Sequence, residues 1–152
     1  MLLSFNMMYQ KYFSFINIFI TLTYFITNPV IAVESSTLFA RLGGMEQITA
    51  VVSETIDRTS IDPKAARIFE GIKLAPVKES VAQHLCEISG GPCKYEGAPM
   101  AKAHTGLAIT SEQFEIMDTY LNQALSARGI SQADRAELGK LLGAMKGDVV
   151  GR

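Results

Sequence analysis

The chain has 152 residues, 48% of them hydrophobic, with 14 Lys and Arg against 15 Asp and Glu, two Cys, two His and no Trp. That leaves room for one domain and a leader, and too little for two sizeable cores. A net charge of −1 without a long basic run argues against nucleic acid as a partner, and the hydrophobic share argues against disorder.

The first 33 residues hold no acidic side chain and one basic one, Lys11. From Tyr12 to Ala32 the text is YFSFINIFITLTYFITNPVIA, apolar and uncharged. A weakly positive start, an apolar middle and a small-residue exit describe a secretory leader. Val30 and Ala32 suit positions −3 and −1 of a cleavage site, and Asn28-Pro29 ends the apolar stretch just before it. The expectation is a signal peptide over 1–32, cut after Ala32, with Met7 or Met8 as an alternative start. The competing reading is an uncut anchor, which would make the leader the chain's sole membrane contact. Its apolar run of roughly 16–20 residues is marginal for a span. In a bacterium the mature domain, 33–152, would be exported to the periplasm. It keeps 13 of the 14 basic residues and all 15 acidic ones.

That domain reads as all-α. Leu38 to Leu42 predicts a helical turn or two, stopped by Gly43-Gly44. Ile48, Val51, Val52 and Ile56 recur at three- and four-residue steps, the mark of one apolar helix face. Asp62-Pro63 begins a turn, and Ile68-Phe69 follows in a connecting segment. Leu74, Val77, Val81, Leu85 and Ile88 form a second stripe, ended by Gly90-Gly91-Pro92. A loop runs to Ala98. Pro99 then suits the first turn of a short helix carrying Met100, Ala103, His104 and Leu107. Thr110 to Gln113 has capping-box spacing ahead of a long helix through Phe114, Met117 and Leu125, with Gly129 as its stop. Ser131 and Asp134 cap a last helix with a face of Leu138, Leu141, Leu142, Met145 and Val149. About six helices result, with no convincing strand.

Periodicity alone does not choose between a structural bundle, a partner-binding module and a cofactor holder. His104, among apolar neighbours, is by spacing alone an ordinary buried histidine. One protein nitrogen holds few metals tightly. Haem iron is the exception, because the porphyrin supplies four further nitrogens and an apolar pocket supplies burial.

Four blocks make the reading specific. They are Leu38-Phe39-Ala40-Arg41-Leu42-Gly43-Gly44, Gly90-Gly91-Pro92, Tyr95-Glu96-Gly97-Ala98-Pro99-Met100 and Ala103-His104-Thr105-Gly106-Leu107-Ala108-Ile109. In order and separation they resemble the signature of group I truncated haemoglobins, from about residue 38 to the end. The resemblance implies a two-over-two helical sandwich around haem b. It places His104 as the proximal iron ligand, with Phe69 on the haem face and Met100 and Leu107 packed on the proximal side. Tyr95 falls where the family has a loop tyrosine, which would either reach a haem propionate or brace the loop. Lys78 and Lys102 are propionate candidates by charge, or simply solvated lysines.

The distal side departs from the family pattern. Thr55-Ile56 stand where many members have an aromatic and a tyrosine, and Val77 and Val81 where they have a glutamine or another polar group. The pocket therefore reads as apolar, walled by Ile56, Val77, Val81 and Leu85, with Thr55 and Ser80 as the nearest polar groups. His84, a turn beyond Val81, is expected at the haem edge or surface; as a sixth ligand it would favour electron transfer. Cys86 and Cys93 are expected to pair if the domain is exported, contributing about 2–3 kcal/mol, and to remain buried thiols if it is cytoplasmic.

The function so implied is reversible binding of O2, CO and NO, with weak hold on O2 and an unidentified reductase or electron donor. NO dioxygenation is disfavoured by the missing distal donor, so ligand binding rather than catalysis is the expected role. An exported redox protein and a haem-free helical interaction module are the alternatives.

Overall fold

A computed structural model describes residues 36–152. The expected leader and its cleavage site lie outside the described residues.

Helix α1 (Leu38–Arg41) is capped by Thr37, whose hydroxyl accepts the Ala40 N–H at 3.3 Å. Gly43, at φ +88°, turns the chain into α2 (Gly44–Ile61). The stripe of Ile48, Val51, Val52 and Ile56 is buried as its spacing predicts. Asp62 ends α2, and its carboxylate accepts the N–H groups of Lys64 and Ala65 at 2.8 and 3.2 Å. A 3-10 turn at Ala66–Phe69 leads to α3 (Leu74–Ile88). Gly90, at φ +80°, stops α3, and the Gly91 N–H donates back to the Cys86 carbonyl at 2.8 Å.

Helix α4 (Met100–Ala103) is shorter than its sequence suggests. His104 is its C-cap rather than a mid-helix residue. Gly106 takes φ +83°, a conformation that ends helical propagation, so Leu107 follows a turn and does not share a helix face with Met100. Helix α5 (Ser111–Ala127) starts on a complete capping box: the Thr110 hydroxyl accepts the Gln113 N–H and the Gln113 side chain accepts the Thr110 N–H. Helix α6 (Gln132–Ala144) is capped by the Ser131 hydroxyl, which accepts the Asp134 N–H at 3.1 Å. It too stops early. A 3-10 turn at Lys146–Asp148 separates it from Val149, which apolar spacing places on the same face.

Helices α2 and α3 form one layer and α5 and α6 the other, with α2 also packed on α5. Ile48, Val52, Leu85, Leu121, Leu125 and Leu138 belong to one continuous buried cluster between them. Arg41 ties α1 to α6 through Asp134 at 2.5 Å and through Glu137. Among the described residues the only β-type pairing is an isolated parallel bridge, Ile109 to Val150. There the Ala108 N–H donates to the Arg152 carbonyl at 2.8 Å, and the Gly151 N–H to the Ile109 carbonyl at 2.9 Å.

Candidate functional site

Between the two layers lies a cavity of about 440 Å³. Ile56 of α2, Phe69 of the 3-10 turn, and Val77, Val81 and Leu85 of α3 face it from one side. Tyr95, Met100, His104 and Leu107 face it from the loop and from α4 and its following turn. All the pocket residues inferred from sequence thus meet around one space.

His104 reaches the cavity because Pro99 starts α4 and the chain turns at Gly106. Its Nδ1 lies 2.8 Å from the Met100 carbonyl oxygen. A carbonyl only accepts, so Nδ1 is the donor and Nε2 is the ring nitrogen left over. Arg67 steadies the backbone just beyond, donating to the carbonyls of Leu107 and Ala108 at 3.3 and 3.2 Å.

Polar groups near the other wall are mostly occupied. Thr55 is buried, and its hydroxyl donates to the Val51 carbonyl at 2.8 Å, one turn back along α2. The Tyr95 hydroxyl donates to the Ala98 carbonyl at 3.2 Å, which leaves it bracing its own loop. Lys78 is paired with Asp57 at 2.6 Å, and neither Lys78 nor Lys102 lines the cavity. Ser80 and His84 do line it. The ring of His84 meets that of Tyr95 edge-on at 4.8 Å, and both its nitrogens are buried without a hydrogen-bond partner. Burial holds this imidazole below its ordinary pKa, with Glu87 opposing part of the shift.

Cys86 and Cys93 are joined in a disulfide, Cα to Cα 5.8 Å. The bond clips the last turn of α3 to the loop that carries Tyr95. The Glu87 carboxylate accepts the Tyr95 N–H at 3.2 Å and reinforces the same junction.

Sequence reasoning missed the floor of the cavity. Phe114, Met117 and Asp118 of α5, and Leu142 and Met145 at the end of α6, also line it. Their spacing marks an apolar face, which says that the face is buried but not that it looks onto open space. Asp118 carries no such signal. Its burial raises the carboxyl pKa.

Known proteins share this arrangement. The bacterial-like globin family model matches residues 37–150. The group 1 truncated hemoglobin of Nostoc sp. (strain MUN 8820) is 34% identical over 118 residues, covering 77% of this chain and 99% of the relative. This chain is a group 1 truncated globin. Its counterpart from Mycolicibacterium paratuberculosis is 30% identical over 105 residues, 69% of this chain and 77% of the relative. The Fe(III) form of the Tetrahymena pyriformis truncated hemoglobin superposes with a TM-score of 0.74 at 23% identity, covering 77% of this chain and all of that one. The 2/2 hemoglobin of Synechococcus sp. PCC 7002, in its cyanomet state with covalently attached heme, gives 0.71 at 23%, with the same 77% of this chain covered. The fold is therefore the two-over-two globin sandwich.

Globins are haem proteins, and the residues of this globin fit haem. Its cavity is apolar on most sides. Among the described residues no group of three or more His, Cys, Asp or Glu could hold a bare metal ion. A single imidazole whose other ring nitrogen already donates to a carbonyl suits an iron whose other ligands a porphyrin provides.

Proposed function

We propose that this truncated globin holds haem b through Nε2 of His104 and binds O2, CO and NO reversibly. Bound haem supplies the iron at which a diatomic gas is held. The protein residues supply everything else. Met100, through its carbonyl, fixes the His104 tautomer and ring orientation. Phe69, Met100 and Leu107 offer apolar contact, and Ile56, Val77, Val81 and Leu85 keep water from the opposite wall.

Those four wall side chains carry no hydrogen-bond donor, and Thr55 is turned away to Val51. O2 draws more negative charge when held than CO does, so it loses more from a missing donor. One hydrogen bond to a charged acceptor is worth about 1.5–3 kcal/mol. Its absence corresponds to O2 release roughly ten- to a hundredfold faster. Gas binding with weak retention of O2 follows, and with it a disfavoured NO dioxygenation.

Residues 1–32 are read as an export leader and 33–152 as the mature periplasmic domain. The Cys86–Cys93 bond supports this, because disulfides persist in oxidising compartments. A mature N-terminus at Val33, measured by mass spectrometry of the periplasmic fraction, is the expected result.

The observation that carries the haem reading is the His104 imidazole on the cavity wall with Nδ1 committed to Met100. His104→Ala is expected to lose the Soret band and haem content, and added imidazole to restore part of both. Unchanged haem content in the variant would refute the assignment.

A further inference from the structure

Haem b is not apolar throughout: its propionate carboxylates need hydrogen-bond donors, as any carboxylate leaving water does. The need arises only with haem b in the cavity, so the identity of those donors rests on the haem reading of His104.

Among the described residues, no Lys or Arg lines the cavity. Gln113 is already bonded to Thr110 and to the Lys64 carbonyl, and Tyr95 to the Ala98 carbonyl. Asp118 is an acid and would repel a carboxylate. His104 has Nδ1 on Met100 and its other nitrogen assigned to iron. Ser80 and His84 remain. They lie four residues apart on α3, and so on one helix face. Neither side chain has a hydrogen-bond partner among the described residues, and both ring nitrogens of His84 are buried. A buried ring N–H left unbonded is costly, so a partner is missing from its surroundings. The edge-on Tyr95 ring belongs to the loop that the Cys86–Cys93 bond ties to α3, so that loop packs against His84.

We propose that His84, with Ser80 one turn before it, holds a propionate carboxylate of haem. His84 donates a ring N–H, and Ser80 its hydroxyl.

The test compares haem b with its dimethyl ester, in which the carboxylates are blocked. Each is loaded into the full chain, and loss to an excess of acceptor apoglobin is timed. The unsubstituted chain is measured first; failure to retain haem b would overturn the haem reading together with this one. His84→Phe is expected to speed loss of haem b about tenfold, the scale of one hydrogen bond to a charged group. It is expected to leave loss of the ester unchanged. His84→Gln, which keeps a donor, stays near the unsubstituted rate with haem b. Equal acceleration with both haems would overturn the proposal in favour of packing. A change in ferric iron coordination in the absorption spectrum of His84→Phe would overturn it in favour of an iron ligand.

Discussion

Thr55 and Val77 separate two ways in which a pocket can lack a donor. Thr55 has a hydroxyl, but donates it to Val51 at 2.8 Å and is buried in the core. Thr55→Val is therefore expected to leave O2 release within about twofold and to change stability by about 1 kcal/mol or less, the scale of one local hydrogen bond. Stopped-flow O2 displacement and a urea melt check the two halves. Val77 has no polar atom and faces the cavity. Val77→Gln is expected to slow O2 release at least tenfold with little effect on CO, as measured by the same displacement. A glutamine without effect would mean that the α3 wall does not face the gas.

At this scale the sequence was informative about identity and silent about aim. His104 and Met100 were readable as cavity residues because they sit in blocks with fixed separations. The turn of the Thr55 hydroxyl towards Val51 was not, because a buried threonine has more than one allowed rotamer and the helix carbonyl one turn back competes for it. The unpartnered nitrogens of His84 depend on Tyr95 arriving from a loop 11 residues away, which periodicity cannot place.

Among the elements, the junction of α3 with the loop after it is tightly built. The disulfide closes it, and Gly91 lies inside it. A Cβ on Gly91 would sit 2.6 Å from Cys86 Sγ and 2.6 Å from the Phe39 ring. Gly91→Ala is expected to destabilise the protein by about 1–3 kcal/mol through overpacking, seen as a lower urea midpoint. Replacing both cysteines by serine is expected to cost about 2–3 kcal/mol by the chain-entropy estimate. Reducing the unsubstituted protein with dithiothreitol should match that loss, and agreement between the two urea curves is the check. Helix starts were legible here because caps are local: Thr110 with Gln113 and Ser131 with Asp134 lie within one turn. Two helix ends were not. Apolar spacing ran on through Leu107 and Val149, whereas φ +83° at Gly106 and the 3-10 turn at Lys146–Asp148 broke the helices first.

At the scale of the whole molecule, three carboxylates at the periphery have pKa values that the fold lowers. Glu54 is lowered chiefly by its bond to Arg128, Asp62 by the Tyr120 hydroxyl, and Asp134 by Ser131 and then Arg41. Each binds its proton more weakly folded than unfolded, so the unfolded chain takes up more protons between the two values. Stability from these groups is complete above the ordinary carboxylate range near pH 4, and falls as pH drops through it towards the lowered folded values. Asp118 runs the other way, its raised carboxyl favouring the folded state once protonated. Urea melts should show a plateau above about pH 5 and a decline below about pH 4, shallower in Asp134→Asn. A decline of unchanged steepness in that variant would remove Asp134 from the account. The all-α class was visible in the order and length of the apolar stripes, and the two-layer arrangement only through the family resemblance. The stripes alone did not reveal the cavity, since an apolar face reads the same whether it meets another helix or a tetrapyrrole.

The bridge between Ile109 and Val150 has a practical corollary. Through it the tail of the chain is moored to the backbone only a few residues beyond His104. Anything fused to or trimmed from that extremity tugs on the same short tether. An affinity tag placed there is expected to loosen the backbone beside the imidazole, and haem retention in tagged against untagged protein checks it.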